Sequence, residues 1–390
     1  MVMAGIEFTG QVPFAHVFFN GMVRDGHGRK MSKSLGNSPD PLEVMNEYGA
    51  DAVRFTMVYL APFGQDVQFD VKRCETGKFF ANKLWNAARL VQMRLGETDP
   101  RAVREAQLRP TLVDRWILSR YANCVKDVSR YLKTYRMSEA AQALYQFAWH
   151  EYCDWYLEMI KPRWMGEGER APDPDDQLTA RTVAWRILDG ILHLLHPFMP
   201  FVTEEIWQAL PHAGDSLTVS GWPKAKKAWF DARAEADVEF LQEFTVAVRN
   251  IRSEMNLPPV KSVAVCVRAE GEELRLLEEN QAVLAPLARI GEWTLGPDVQ
   301  RPSVAAAAVV RSLEIFVPLA ELIDVESERL RLGREADRVH GDLEATKKKL
   351  MNQDFLAKAK PEVVQRERER LALLDQTVAK LRRAMEALRG

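Results

Sequence analysis

The residues best suited to chemistry lie between positions 28 and 37. The stretch Gly28-Arg29-Lys30-Met31-Ser32-Lys33-Ser34-Leu35-Gly36-Asn37 holds three cations, two hydroxyls and two glycines in ten residues. Lysine ammoniums are compact charges on flexible stems. Lys30 and Lys33, three apart with Met31 and the small Ser32 between them, can approach phosphate oxygens from a mobile loop. Such a loop can stabilise charge growing on a leaving pyrophosphate, which is electrostatic stabilisation of a transition state. For an arbitrary K-x-x-K pair a solvated basic surface loop is the commoner case, so the flanking sequence has to decide.

The flanks supply positioning elements. His16-Val17-Phe18-Phe19-Asn20-Gly21-Met22-Val23 reads as a buried, β-rich strand. Asp25-Gly26-His27-Gly28 gives a tight turn into the loop. After the loop, Asp40 as N-cap, Pro41 at the first helical position and Glu43 closing a capping box start a helix that ends at Gly49. Asp51 then caps a second helix, Ala52 to Leu60.

Composition narrows the class. The 390 residues are 47% hydrophobic and 28% charged with a net charge of −2, so any polyanion site must be a local patch. Cys74, Cys124, Cys153 and Cys266 form no CxxC pair, which argues against a zinc site or a disulfide framework. No apolar run spans a membrane, and Met1-Val2-Met3-Ala4 has no signal-peptide pattern.

From Val71 the pattern turns helical, with Phe79-Phe80, Leu84-Trp85, Ala88 and Val91 at helical spacing. Gly96 to Pro110 reads as a linker. Helices are expected over Leu112–Tyr131, Met137–Lys161, Asp176–Leu195 and Met199–Leu210, with Thr203-Glu204-Glu205 opening what His196–Pro200 leaves of the last. Their apolar stripes, rich in Trp and Tyr, are those of a bundle core. Another helix covers Trp229–Met255. Strands over Ser262–Val267, Glu292–Leu295, Val304–Val310 and Glu314–Val317, with helices over Leu274–Asn280 and Ala282–Ala288, suggest a small α/β unit.

The tail has a/d spacing. Leu322, Val325, Leu332, Ala336, Val339, Leu343 and Leu350 share one frame, broken by Arg329 and Thr346. Val364, Leu371, Leu374, Val378, Leu381, Met385 and Leu388 repeat it, broken by Glu367. Met351–Asp354 and Pro361 between them predict an antiparallel coiled-coil hairpin, its arms about 40 Å long. Its turn is basic: Lys347, Lys348, Lys349, Lys358 and Lys360 face only Asp354.

The ten-residue loop resembles the KMSKS signature of class I aminoacyl-tRNA synthetases. The segment GRKMSKSLGNSPDPLEVMNEYGADAVRF carries the likeness through Tyr48–Asp51 and Arg54-Phe55. The resemblance implies that Lys30 and Lys33 hold ATP phosphates during amino-acid activation, Lys33 most directly, while Met31, Ser32 and Ser34 shape the loop. Mg²⁺ would accompany ATP, and no metal held by the protein itself is expected. Four segments resemble the valyl family: Arg54–Asp70, Asn82–Val91, Tyr152–Arg163 and Arg249–Pro259. The hairpin is a fifth likeness, and the isoleucyl family is the alternative.

The implied fold is mainly α. It comprises the C-terminal edge of a Rossmann catalytic domain (1–40), a stem-contact helical region (41–108), an anticodon-binding bundle (109–260), an α/β connector (261–320) and a tRNA-binding arm (321–390). The implied partners are tRNA(Val), ATP and valine, for a cytoplasmic monomer with no membrane contact. The second class I signature, His-x-Gly-His, does not occur, and Asn20 stands where many relatives have His. The expectation is therefore a C-terminal part lacking that motif, the amino-acid pocket and the editing domain, and inactive alone in amino-acid activation. A non-catalytic tRNA-binding protein derived from a synthetase is the competing class, though it would not need an intact KMSKS loop. For the arm, replacing the five turn lysines by Glu is expected to weaken tRNA binding and flatten its salt dependence in filter binding; unchanged affinity at low and moderate salt would refute the assignment.

Overall fold

The computed structural model describes residues 1–165, 173–320, 322, 325–352 and 361–387. The described chain is mostly helical and forms two compact units, residues 1–236 and 237–390.

In the first unit, α1 (Val2–Thr9) precedes an extended segment that differs from expectation. Only Val23–Arg24 is strand (β1), paired in parallel with Val67–Gln68 (β2). Val17 and Phe19 are 67% and 82% exposed rather than buried, because the described sheet offers them no neighbouring strand. Helix α2 (Pro41–Tyr48) starts as read: Asp40 Oδ1 accepts from the Leu42 amide, Pro41 follows, and Gly49 ends the helix at φ 95°. The reciprocal bond expected from Glu43 is not formed.

Helix α3 (Ala50–Tyr59) corrects the role of Asp51. That residue sits inside the first turn, and its carboxylate accepts from the Phe201 and Val202 amides, 3.3 and 2.6 Å away. It therefore caps the helix that opens at Pro200, not its own. Helix α4 (Cys74–Leu95) packs on α3 at Gly77, where a Cβ would lie 2.5 Å from the Ala52 carbonyl.

The bundle comes next. Helix α5 (Leu112–Lys133) is joined to α6 (Met137–Tyr145), which continues as a π-helical stretch, Gln146–Tyr156, and short α7 (Leu157–Met159). The expected single helix 137–161 is thus widened in its second half, where Tyr145 stacks on Trp149 and Tyr152 on Tyr156. Helices α8 (Lys161–Met165), α9 (Pro174–Leu195, capped by Asp173) and α10 (Pro200–Gln208) complete it. Helix α10 opens at Pro200. Glu204 does not open a helix; it accepts from Leu217 N and Ser216 Oγ. Gly190 lets α9 lie against α5, since a Cβ there would meet Tyr121 Oη at 2.0 Å.

Polar groups cross-link the bundle. Asp114 is fully buried; Arg163 Nη1 lies 2.8 Å from its Oδ2, which also accepts from Thr111, and its Oδ1 accepts from Tyr156 Oη. Arg120 bridges Glu151 and Glu235, and those carboxylates raise its pKa.

The second unit is entered through α11 (Ala232–Glu254). Its sheet has the order β4-β3-β6-β5. Val263–Arg268 (β3) runs parallel to Ile290–Gly296 (β4) and antiparallel to Leu313–Pro318 (β6), which pairs with Ala305–Val310 (β5). Helices α12 (Gly271–Glu279) and α13 (Gln281–Ala288) link β3 to β4. Phe244 of α11 stacks on Trp293 at 5.8 Å. Arg252, 7% exposed, donates to the carbonyls of Pro258 and Arg289, so this part of the valyl-like segment has a structural task.

Two helices of 27 residues each, α14 (Val325–Met351) and α15 (Pro361–Ala387), pack along one seam and run antiparallel. Leu332, Val339, Leu343 and Leu381 are buried in it. Thr346, read as a break, is buried too, its hydroxyl donating to the Asp342 carbonyl.

Arg163→Met removes the charge that compensates buried Asp114. The expected loss of stability is about 3–5 kcal/mol in denaturant melts of the chain; a change below about 1 kcal/mol would show that the pair does not hold the bundle.

Candidate phosphate-binding loop

The loop is positioned from its backbone outward. β1 is held in place by Asp66, which accepts from the Met22 amide at 2.9 Å and from Arg24 Nε at 2.5 Å. The Met22 amide and the Arg24 guanidinium hold the Asp66 carboxyl below its usual range. The chain then reverses through the expected turn, closed by Gly28 N donating to Asp25 O, with Gly28 at φ 77°. Arg24 and Lys30 form an antiparallel bridge, so the loop leaves on a short β-ladder.

Asp25 organises the residues from 27 to 37. It is 7% exposed, and its carboxylate takes four donors. Oδ1 accepts from the His27 and Arg29 amides, at 3.0 and 2.9 Å. Oδ2 accepts from Arg29 Nε and Asn37 Nδ2, both at 2.9 Å. The Asn37 amide first, then the Arg29 and His27 groups, pull the Asp25 carboxyl far below the ordinary range, against the opposing effect of burial.

Asn37 closes the loop from its other end. Its Oδ1 accepts from the Ser32 amide at 2.9 Å, and its Nδ2 also donates to the Lys30 carbonyl at 3.2 Å. One side chain thus fixes the backbone at both Lys30 and Ser32. Met31 points inward and packs against the cluster of Val44, Phe69 and Cys74. Ser32 Oγ lies 3.2 Å from Ser34 Oγ and accepts from the Leu35 amide. A 3₁₀ turn covers Lys33–Leu35, and Gly36 at φ 61° returns the chain to Asn37.

The outcome is a loop with a fixed frame and outward charge. Lys30 is exposed, and among the described residues its ammonium has no ion-pair partner. Arg29 is spent on Asp25. The backbone of Lys33 sits at the start of the 3₁₀ turn; its side chain lies outside the described residues. Met31, Ser32 and Ser34 frame the loop by one half-buried anchor and two local hydroxyl bonds. Sequence reasoning missed Asp25 and Asn37 as frame residues. The signal was present, since Asp and Asn flanking Gly favour turns that bond their own backbone.

The hairpin lysines divide. Lys347 pairs with Glu344, Lys349 with Glu367 across the seam, and Lys348 is exposed. Lys358 and Lys360 lie outside the described residues. Cys74, Cys124 and Cys153 are buried free thiols, and burial pushes Cys153 up to about 12. Among the described residues no helix is long and apolar enough to cross a membrane.

Protonating Asp25 should release the loop. Its folded pKa is depressed, so its contribution is complete above the ordinary value of 3.8 and is lost as pH falls below it. The protection of the Arg29 and Ser32 amides, measured as exchange relative to an unstructured peptide at the same pH, should therefore fall in strong acid, and Asn37→Ala should lower it at neutral pH; equal protection in the variant and the parent would show that Asn37 does not brace the loop.

Known proteins match the chain in three consecutive blocks. Residues 1–70 match the class I tRNA synthetases (I, L, M and V), residues 114–267 the anticodon-binding domain of tRNA ligases, and residues 324–389 the valyl tRNA synthetase tRNA-binding arm. The valine--tRNA ligase of Carboxydothermus hydrogenoformans is 43% identical over 95% of this chain and 41% of its own length. That of Nitratidesulfovibrio vulgaris is 41% identical over 100% of this chain and 43% of its own. The chain thus spans about two-fifths of the length of these relatives. Among solved structures, the LeuRS-tRNA-LeuAMS ternary complex of Agrobacterium radiobacter K84 aligns with a TM-score of 0.47 and 20% identity, over 59% of this chain and 27% of that one. End-to-end likeness to valine--tRNA ligases, together with the match to the valyl tRNA synthetase tRNA-binding arm, supports a C-terminal valyl-tRNA synthetase part.

Proposed function

We propose that this chain supplies half of the ATP site and the tRNA-binding surfaces of a valine--tRNA ligase, which activates valine with ATP and transfers it to tRNA(Val). The observation that carries the reading is the braced loop: Asn37 and Asp25 fix its frame and leave the Lys30 ammonium free for a polyanion. Lys30 and Lys33 are assigned to ATP phosphates, where preorganised positive charge stabilises the departing pyrophosphate. Mg²⁺ would travel with ATP. Residues 41–108 would meet the acceptor stem, residues 109–260 the anticodon arm, and residues 321–390 the tRNA elbow through the turn lysines. The chain would act as a cytoplasmic monomer. The competing isoleucyl and non-catalytic readings are not favoured, since the matching arm model is valyl and the relatives are named as ligases.

The isolated chain should show no valine-dependent ATP–pyrophosphate exchange while still retaining tRNA on filters. Carried into a protein with the remaining catalytic parts, Lys30→Ala or Lys33→Ala should each slow exchange about 10²–10³-fold. Robust exchange by the chain alone would overturn the division of the site, and full-rate exchange by the variants would overturn the lysine roles.

A further inference from the structure

A pocket of about 260 Å³ opens where the linker before α5, the first turns of α5, the middle of α9 and the segment Ala228–Asp231 meet. At about 30 Å³ per water it has room for about nine waters, or for an organic ligand of about ten non-hydrogen atoms. One side is apolar. Leu118 there is buried, and the half-buried Trp229 ring is fixed by the Tyr121 ring, 6.0 Å between centres, and by the Lys226 ammonium, 5.0 Å from its own centre. The other side holds two cations, Arg115 and Arg186, and two anions, Glu105 and Asp231.

These four groups are unequally satisfied. Glu105 Oε1 accepts from the Lys226 ammonium. Asp231 Oδ1 accepts from the Ala234 amide at 2.9 Å, and its Oδ2 lies 3.5 Å from Arg115 Nε. Arg186 is different. Its side chain is only 20% exposed, and its one polar partner among the described residues is the same Glu105 Oε1. That contact, from Nη1, is 3.5 Å long, at the limit of a hydrogen bond. Burial pulls the Arg186 guanidinium below its usual range, and Glu105 only partly offsets this. The group with open hydrogen-bonding capacity is therefore a largely enclosed cation that shares a pocket with an aromatic ring.

A guanidinium with free donors in a rigid fork matches a planar carboxylate. A dianion such as phosphate would stand against Glu105 and Asp231, and an ammonium finds both of those carboxylates already taken. We propose that this pocket binds a small aromatic monocarboxylate, its carboxylate held by Arg186 and its ring laid against Trp229 and Leu118. Binding replaces one long contact to a shared oxygen with a two-bond fork, and it removes the apolar side of the pocket from water. The site is separate from the phosphate loop and the arm, and it does not depend on the tRNA reading of the chain.

The test uses the full chain and phenylacetate, followed by calorimetry and by the indole N–H resonance of Trp229, assigned through Trp229→Phe. Saturable binding with a Kd of about 1 mM or below, together with movement of that resonance, is expected. Arg186→Gln should weaken binding at least about tenfold, and Arg186→Lys, which keeps the charge but loses the fork, should fall between it and the parent. Ala228→Phe, at an exposed position of the lining, fills the pocket without touching Arg186 and should also weaken binding at least about tenfold, so the proposal is tested even where Arg186→Gln fails to fold. No binding at about 10 mM phenylacetate, or equal binding by the parent and the Ala228→Phe variant, overturns the site. Phenethylamine binding as tightly as phenylacetate would make a carboxylate of the lining the open group. L-phenylalanine binding about tenfold more tightly would make it a zwitterion site, and inorganic phosphate displacing phenylacetate at equal concentration a general anion site. Each of these three results overturns the monocarboxylate assignment.

Discussion

The carboxylate of Asp25 is the point on which the N-terminal site turns. A buried anion must be compensated, and this one is compensated by four N–H donors from residues 27 to 37, one of them on the Arg29 guanidinium. The compensation is also the architecture. Two of the donors are backbone amides, so satisfying Asp25 fixes the turn. One is Asn37, whose other bonds fix Lys30 and Ser32. A cationic loop left to itself would spread its like charges apart. Here an internal anion gathers the backbone while neutralising only Arg29, and the net positive charge stays at the rim.

The sequence was most legible where one local rule acted alone. The α/β unit is the clearest case: β3 alternates buried and half-buried residues from Val263 to Arg268, and every strand and helix of the unit lies within a few residues of its expected place. The hairpin arms were equally readable, since a/d spacing over 27 residues places apolar groups on one stripe that only a partner helix can cover. The strand at His16–Val23 was misread for a definite reason. Its residues are β-formers, but a strand exists only through partners, and β2 offers two residues. Its chain neighbours make Asp51 look like the cap of its own helix, whereas its acceptor oxygens serve a helix 150 residues away. The lysines of the loop announced themselves by type; Asp25 and Asn37 were visible only as turn formers, because their task depends on reaching each other across twelve positions.

The bundle shows how the same polar chemistry serves structure instead. Asp114 and Arg163 are as enclosed as any ion pair among the described residues, and their partners Thr111, Tyr156 and Asp176 join the start of α5, the π-helical stretch and the start of α9. The rings of Tyr121, Tyr152 and Tyr156 are core members, as expected for aromatics at helical spacing. Trp222 differs from them in exposure and in standing outside the helices. Type alone would not have distinguished it, because the buried Trp116 and the half-exposed Trp222 are the same residue in a sequence.

The ion pair between Lys349 and Glu367 has a bearing on how the hairpin assembles. Glu367 occupies a seam position and is only 14% exposed, with Lys349 of the other helix 2.5 Å away. A seam of aliphatic residues alone tolerates sliding by a heptad, since leucine meets leucine again. Sliding these helices would carry Glu367 away from its lysine and leave a carboxylate against hydrocarbon. The pair therefore acts as an alignment pin near the turn, setting how far each arm extends and so where the free end of the hairpin comes to rest.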